Sequence, residues 1–165
     1  MALVVALVAN LAVIRFFHQD GNMPKGLNTA NNIMGLIYNA TPIANIADNA
    51  ATSPITNIKV TLATASYSPS STMSSNEAAY TNMARQDVAR TTSGWTAPSG
   101  GSVSNVAPIE FPQCGVTGAT ITSAATGKGA GASDIFHYGD LNAPIAVSNQ
   151  IQPRFPIGAM TITES

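Results

Sequence analysis

The segment YTNMARQDVARTTSGW, residues 80–95, admits two incompatible local structures. Ser74, Ser75, Asn76 and Glu77 just before it fit a capping box, with Ser at the N-cap and Glu at the third helical position. Tyr80, Met83, Ala84, Asp87 and Val88 then recur at helical spacing, and Gly94 stands where such a helix would close. Against this, Thr81, Val88, Thr91, Thr92, Trp95 and Thr96 suit a strand, and TAPSGGSVSN beyond them is a turn cluster. A helix would carry a chemical face. A strand would be one element of a sandwich whose job is to be a surface.

On the N-terminal side, Leu27, Asn28 and Thr29 followed by Ala30, Ile33, Met34, Ile37 and Tyr38 predict one short amphipathic helix, with Asn28 as N-cap and Leu27 as staple. Its apolar stripe reads as core packing rather than a binding groove. After Pro42 the chain turns to β-type segments separated by Gly, Pro, Ser and Asn clusters, the sequence form of a sandwich or barrel. Strands are expected near Ile58–Thr64, Ala84–Thr91, Val106–Phe111, Ala119–Ala125, Asp134–Leu141 and Ala159–Thr163, with a further one at Ala143–Val147. No fixed-period repeat and no linker divides this body. The organisation predicted is an apolar N-terminal arm, residues 1–22, and one β-sandwich domain, residues 23–165.

A chain of 165 residues can bury a real core without staples. Its charged fraction is only 9%, against the roughly 25% usual in soluble proteins, and the net charge is −1. Nothing in that balance draws the chain to nucleic acid or to anionic lipid. Ser, Thr, Asn and Gln supply the polarity instead. Such a surface suits contacts that tolerate salt, because little of their free energy is screened Coulomb attraction. Left bare it would associate, since near-zero net charge favours association. The composition therefore predicts a protein packed against copies of itself or a partner. The single cysteine, Cys114, excludes a disulfide framework and a Cys-x-x-Cys site, and fits synthesis in a reducing compartment.

Residues 1–14, MALVVALVANLAVI, are almost wholly apolar, yet a membrane span needs roughly 20 such residues. Arg15 follows the run rather than preceding it, and RFFHQDGN offers no small-residue cleavage site, so a signal peptide is not indicated. The larger side chains fall with period two, although a buried helix fits the length as well. Ordering each residue costs roughly 1–2 kcal/mol and burying a Val or Leu returns roughly 1.5–3 kcal/mol, so the arm is ordered only where its side chains find a surface. Three readings stay open: a strand of the protein's own core, an arm docking on a neighbouring subunit, or a chain that starts at Met23. For the docking reading the interface residues are Leu3, Val5, Leu7, Leu11, Val13, Phe16 and Phe17.

Convergent chemistry is scarce. His18 lies in the arm and His137 in the apolar segment DIFHYG; their spacing makes no metal site. A lone His in a strand is usually packed or hydrogen-bonded. Cys114 with His137 would be nucleophile and base, but no activating helix or orienting acid is indicated, and a buried structural thiol is the better reading. GKGAGAS, residues 127–133, fails the phosphate-loop pattern at both ends and suits a hairpin tip. Arg85, Asp87 and Arg90 read as a solvated ion-pair cluster, or else as a pairing across subunits that fixes register. No catalytic, cofactor-binding or metal-binding residue is assigned, and no cofactor is expected.

MPKGLNTANNI at 23–33, YTNMARQDVAR at 80–90, GWTAPSGGSVSNVAPIEFP at 94–112 and PIGAMTITES at 156–165 together resemble a family of small tailed-phage virion structural proteins, often labelled tail fibre. In that family the middle motif reads like Y-T-G-Y-A-R and lies in a β-strand region. This chain keeps Tyr80, Thr81, Ala84 and Arg85, and has Asn82 for the Gly and Met83 for the second Tyr. Asn tolerates a left-handed backbone better than any residue but Gly, so a turn or bulge at position 82 is preserved. The motif residues singled out are Tyr80, Ala84, Arg85, Trp95, Asn105, Phe111 and Pro112.

With the resemblance, residues 80–95 resolve toward strand, with the helix as the alternative. The fold it implies is all-β, a jelly-roll-like sandwich with one short helix. The function it implies is that of a non-enzymatic phage virion protein; within that class the docking arm, the low charge and the scarcity of chemistry favour a capsid decoration (cement) protein on the outer capsid surface, made in the host cytoplasm. Its partners would be the major capsid protein and itself, as a homotrimer or else a dimer, with no nucleic acid and no membrane. A tail or fibre component is the alternative, and a carbohydrate-binding adhesion module a third, which would need exposed aromatic rings.

Overall fold

The computed structural model describes residues 11–13, 24–39, 42–44, 46, 55–100, 102–128 and 134–163. Their elements, in chain order, are β1 (Leu11–Val13), α1 (Leu27–Tyr38), β2 (Asn57–Ala63), β3 (Gln86–Ala89) and β4 (Ser102–Ser104). There follow β5 (Ile109–Glu110), β6 (Ala119–Gly127), β7 (Ile135–Val147), β8 (Gln152–Phe155) and β9 (Thr161–Thr163). The architecture is all-β and sandwich-like, with α1 as the single helix among the described residues. A four-stranded antiparallel sheet runs β3-β2-β6-β7, a three-stranded sheet runs β1-β8-β5, and β4 pairs with β9.

Residues 80–95 are not a helix. Gln86–Ala89 pair antiparallel with Val60–Asn57, and the residues on either side are turns. Asn82 has φ 76°, the left-handed turn expected of it. The capping-box pattern at Ser74–Glu77 does not start a helix because the Glu77 side chain is engaged elsewhere, as described below. Gly94 does not close a helix either; a Cβ there would fall on the Ala89 carbonyl, so glycine lets the chain fold back onto the end of β3.

The centre of the four-stranded sheet is buried on both faces, so β2 is continuously covered from Val60 to Ala63 and β6 from Ser123 to Gly127 rather than alternating. Leu62 joins the main core with Ile109, Phe111, Ile121, Phe155, Met160 and Ile162, while Ala63 belongs to a smaller cluster with Tyr67, Met73, Ile135 and Tyr138. Phe111 and Phe155 meet edge to face, with centroids 6.3 Å apart. In β7 the segments expected separately at Asp134–Leu141 and Ala143–Val147 are one strand. It is interrupted where Ile121↔Ile145 gives way to Ser123↔Asp140, an irregularity that accommodates Pro144.

Two strands lie where none was expected. β4 sits inside the turn cluster and exists because β9 pairs with it, Ser102 opposite Thr163. β8 contains Pro153, whose missing N–H argues against a central strand; its carbonyl nevertheless accepts from the Phe111 N–H, 3.0 Å away. The helix begins one residue before the expected cap. Gly26 supplies the carbonyl for the first helical bond, from Ala30 at 3.0 Å. Asn28 lies in the first turn and donates to Asp134 Oδ1 at 3.1 Å instead. Leu27 is 50% exposed and Tyr38 74%, so neither is the packed residue that the pattern implied.

Of the arm, β1 pairs parallel with β8 of the same chain, Leu11 opposite Gln152 and Val13 opposite Arg154. Leu3, Val5, Leu7, Phe16, Phe17 and His18 lie outside the described residues.

Candidate interaction site

The YTNMAR motif is a clamp rather than a chemical face. Tyr80 is buried, and its hydroxyl donates to the Pro112 carbonyl at 3.1 Å. Burial, then the neighbouring Cys114, push that phenol well above its ordinary range, so it stays a donor. Thr81 exchanges backbone bonds with Thr117 and Gly115, at 2.8 and 3.1 Å, and its hydroxyl accepts from the Thr117 N–H at 2.9 Å. Asn82 Nδ2 donates to the Gln113 carbonyl at 3.2 Å. The left-handed turn at Asn82 thus fastens one motif to the loop that follows the next one, at Phe111-Pro112. Ala84 is exposed, and its carbonyl accepts from the Gln86 side chain.

Arg85 forms the strongest polar contact of this region. Its Nε and Nη2 donate to the two Glu77 oxygens at 2.6 and 2.9 Å, and Nη2 also reaches Ser74 Oγ at 3.0 Å. Thr61 Oγ1 adds a third bond to Glu77, at 2.6 Å. Partial burial pushes the Glu77 carboxyl up, but the bonds from Arg85 and Thr61 and the guanidinium charge outweigh it and hold the group below its ordinary value. The Arg85, Asp87, Arg90 cluster therefore does not pair within itself: Arg85 takes Glu77, and Asp87 takes Lys59 across β2–β3 at 2.7 Å. Glu77 is the residue that sequence reasoning missed, since its spacing from Ser74 mimicked a cap.

Asn105 fixes the opposite end. It is 1% exposed and spends nearly its whole hydrogen-bonding capacity: Nδ2 donates to the Ala107 and Pro156 carbonyls, both at 2.8 Å, and Oδ1 accepts from the Met160 N–H at 2.9 Å. Trp95 forms a backbone bridge with Asn105. Trp95, Asn105 and the PIGAM segment are thereby tied together, although they are far apart in sequence.

Cys114 and His137 are not brought into a pair. The Cys114 thiol is buried in the main core and donates to the Thr117 carbonyl at 3.3 Å. His137 lies on β7, bridged to Lys25, where its carbonyl accepts from Thr126. At GKGAGAS, the Lys128 N–H donates to the Asp134 carbonyl and closes the β6–β7 hairpin; residues 129–133 lie outside the described ones.

An apolar groove of about 660 Å³ lies among the described residues. The first turns of α1 contribute Thr29, Asn32 and Ile33; β2 contributes Ile58; the β4–β9 pair contributes Val103 and Ile162; Trp95, Ile43, Ile46 and Phe136 of β7 add to the apolar lining, and Arg90 and His137 also border it. Ile33, one residue of the expected helix stripe, thus faces this groove. Trp95 is 9% exposed and its Nε1 is buried with no hydrogen-bond partner. The site can hold apolar chain; it contains no group of three or more His, Cys, Asp or Glu arranged for a metal, among the described residues.

No curated protein matches the chain. The family model described as "Podophage GP4 fiber I protein gp80" matches residues 37–163, which covers every strand from β2 to β9. The clamp at Tyr80, the Glu77–Arg85 pair and the Asn105 tie all fall inside that span. The chain belongs to the podophage GP4 fiber I protein gp80 family and is a structural protein of the tailed-phage virion.

Proposed function

We propose that the chain is a self-associating component of a podophage fibre, with the sandwich as the repeating body and a homotrimer as the assembly. The observation that carries this reading is the family match across the whole strand framework from β2 to β9. The surface supports it. Charges are few and several are spent within the chain, on Glu77–Arg85, Lys59–Asp87 and Arg154–Glu110. The major capsid protein is the partner if the protein instead decorates the outer capsid, the other position open to a virion protein with this surface. Sugar recognition by ring stacking has little support, because Tyr38 is the only described aromatic residue that is largely exposed.

Copy number and position on the particle test the proposal together. Antibody labelling of intact virions, with quantitative mass spectrometry of their proteins, should find few copies located at fibres. Many copies spread over the shell would make it a decoration protein and overturn the fibre reading. For the purified chain, light scattering should give three times 16.9 kDa; a monomer at micromolar concentration would overturn self-association.

A further inference from the structure

We infer that the groove between α1 and the β4–β9 pair is the seat of an N-terminal segment, residues 1–10, donated by a second copy of the chain. The inference rests on the self-association proposed above and names the surface through which it works. Two observations point to this occupant. The groove, at about 660 Å³, lies within the roughly 300–1,000 Å³ range of sites that enclose a ligand, and Ile33, Ile43, Ile58, Val103 and Ile162 make it aliphatic. The ten residues that precede β1 are MALVVALVAN, uncharged in their side chains, with Leu or Val at positions 3, 4, 5, 7 and 8. An extended segment of that kind fills an apolar groove with every second side chain and brings backbone carbonyls along its length. Trp95 lines the same groove, so its ring reports what enters there.

The placement of β1 is compatible with donation. Leu11–Val13 are tied to β8 of their own chain, so the segment before them is tethered at a fixed place on the sandwich. In a closed oligomer each copy gives one segment and receives one, and the tether raises the effective concentration of the next contact.

The test uses full-length chains. Leu3→Cys, Val5→Cys and Leu7→Cys are each mixed with a tagged chain carrying Val103→Cys and oxidised mildly; Cys114 stays in place because its thiol is buried. The expected result is a disulfide between tagged and untagged chains in at least one mixture. Adding Val5→Asp and Leu7→Asp to a productive Leu3→Cys partner should cut its yield about tenfold or more, since a carboxylate would have to enter the apolar groove. Trp95 is the sole tryptophan, so its emission reports the groove directly. It should move to the blue as concentration carries the chain from monomer to oligomer, and fail to do so in the Asp variant, with circular dichroism showing that variant folded. A chain carrying both Val5→Cys and Val103→Cys that cross-links only to itself would mean the segment fills its own groove, which overturns the inference. An oligomer by light scattering with no cross-link and no Trp95 shift overturns the groove while leaving self-association intact. A monomer under all conditions overturns both.

Discussion

At Glu77 a carboxylate collects three side-chain hydrogen bonds, and its environment is legible as a pH dependence. The folded protein holds this group below its ordinary value of 4.5, so the unfolded chain binds the proton more readily. Its contribution to stability is complete above that value and is lost as pH falls through the lower folded one. Glu77→Gln should cost about 1–3 kcal/mol at neutral pH, by weakening charge-assisted bonds to a pair that is only one-quarter exposed on the Glu side. Urea titrations at a series of pH values should show the gap between the two proteins closing on acidification below 4.5. A gap that stays constant would mean the pair contributes through packing alone. Asn105 sets a second expectation at this scale. Asn105→Ala removes one acceptor and two donors from a site that is 1% exposed, and leaves the Met160 N–H and the Ala107 carbonyl without partners, while the Pro156 carbonyl keeps the Ala159 N–H. That should cost at least about 3 kcal/mol. Asn105→Asp should fare no better, because a carboxylate cannot donate to the Ala107 and Pro156 carbonyls.

The elements show which signals in the sequence were physical and which were mimicry. β2, β6 and β9 are where hydrophobic and β-branched residues put them, because each strand's own composition suits a half-buried or buried pleat, whereas β3, Gln86–Ala89, fitted a helix as well and resolved only with the family resemblance. β4 was hidden, since Ser102-Val103-Ser104 becomes a strand only against Thr161–Thr163, and a pairing over that separation leaves no local trace. Pro153 concealed β8 for the opposite reason: the residue argues against a central strand, yet only one N–H is lost. The motif residues were legible as a set, but not their roles. Nothing in the spacing of Tyr80 and Pro112, or of Asn105 and Pro156, announces that they touch. The groove was still less visible, because its walls come from one helix, five strands and the loops between them. Gly94 carries the prediction at this scale. Its Cβ would meet the Ala89 backbone carbonyl, and a backbone atom of a paired strand cannot step aside as a side chain would. Gly94→Ala should therefore displace the end of β3 and cost about 1–3 kcal/mol, read as a Tm lower by several degrees. Gly100→Ala is an informative contrast. A Cβ there meets nothing, so its cost is confined to the left-handed backbone, φ 58°.

For the whole molecule, the economy of charge governs how it associates. Seven Lys and Arg and eight Asp and Glu serve 165 residues, and the described ion pairs Lys59–Asp87, Arg85–Glu77 and Arg154–Glu110 are spent inside the chain. The remaining charges are thinly spread over the sequence, so contact between chains has to draw chiefly on apolar burial and neutral hydrogen bonding, neither of which is screened by small ions. Raising ionic strength from about 0.01 to 1 M shortens the Debye length from roughly 30 to 3 Å, enough to dismantle an interface held by exposed ion pairs. Here the dissociation constant of the oligomer, followed by sedimentation across that range, should change less than about threefold, and sulfate should if anything strengthen association by favouring apolar burial. A tenfold or greater weakening in sodium chloride would mean that Lys and Arg contacts between chains dominate, and would contradict the account of the surface as neutral. The same titration read through Trp95 separates the two levels of the argument. Salt-independent emission with salt-independent mass is the behaviour of an aliphatic segment seated in an aliphatic groove, whereas a stable mass with shifting emission would place the contact between chains elsewhere on the sandwich.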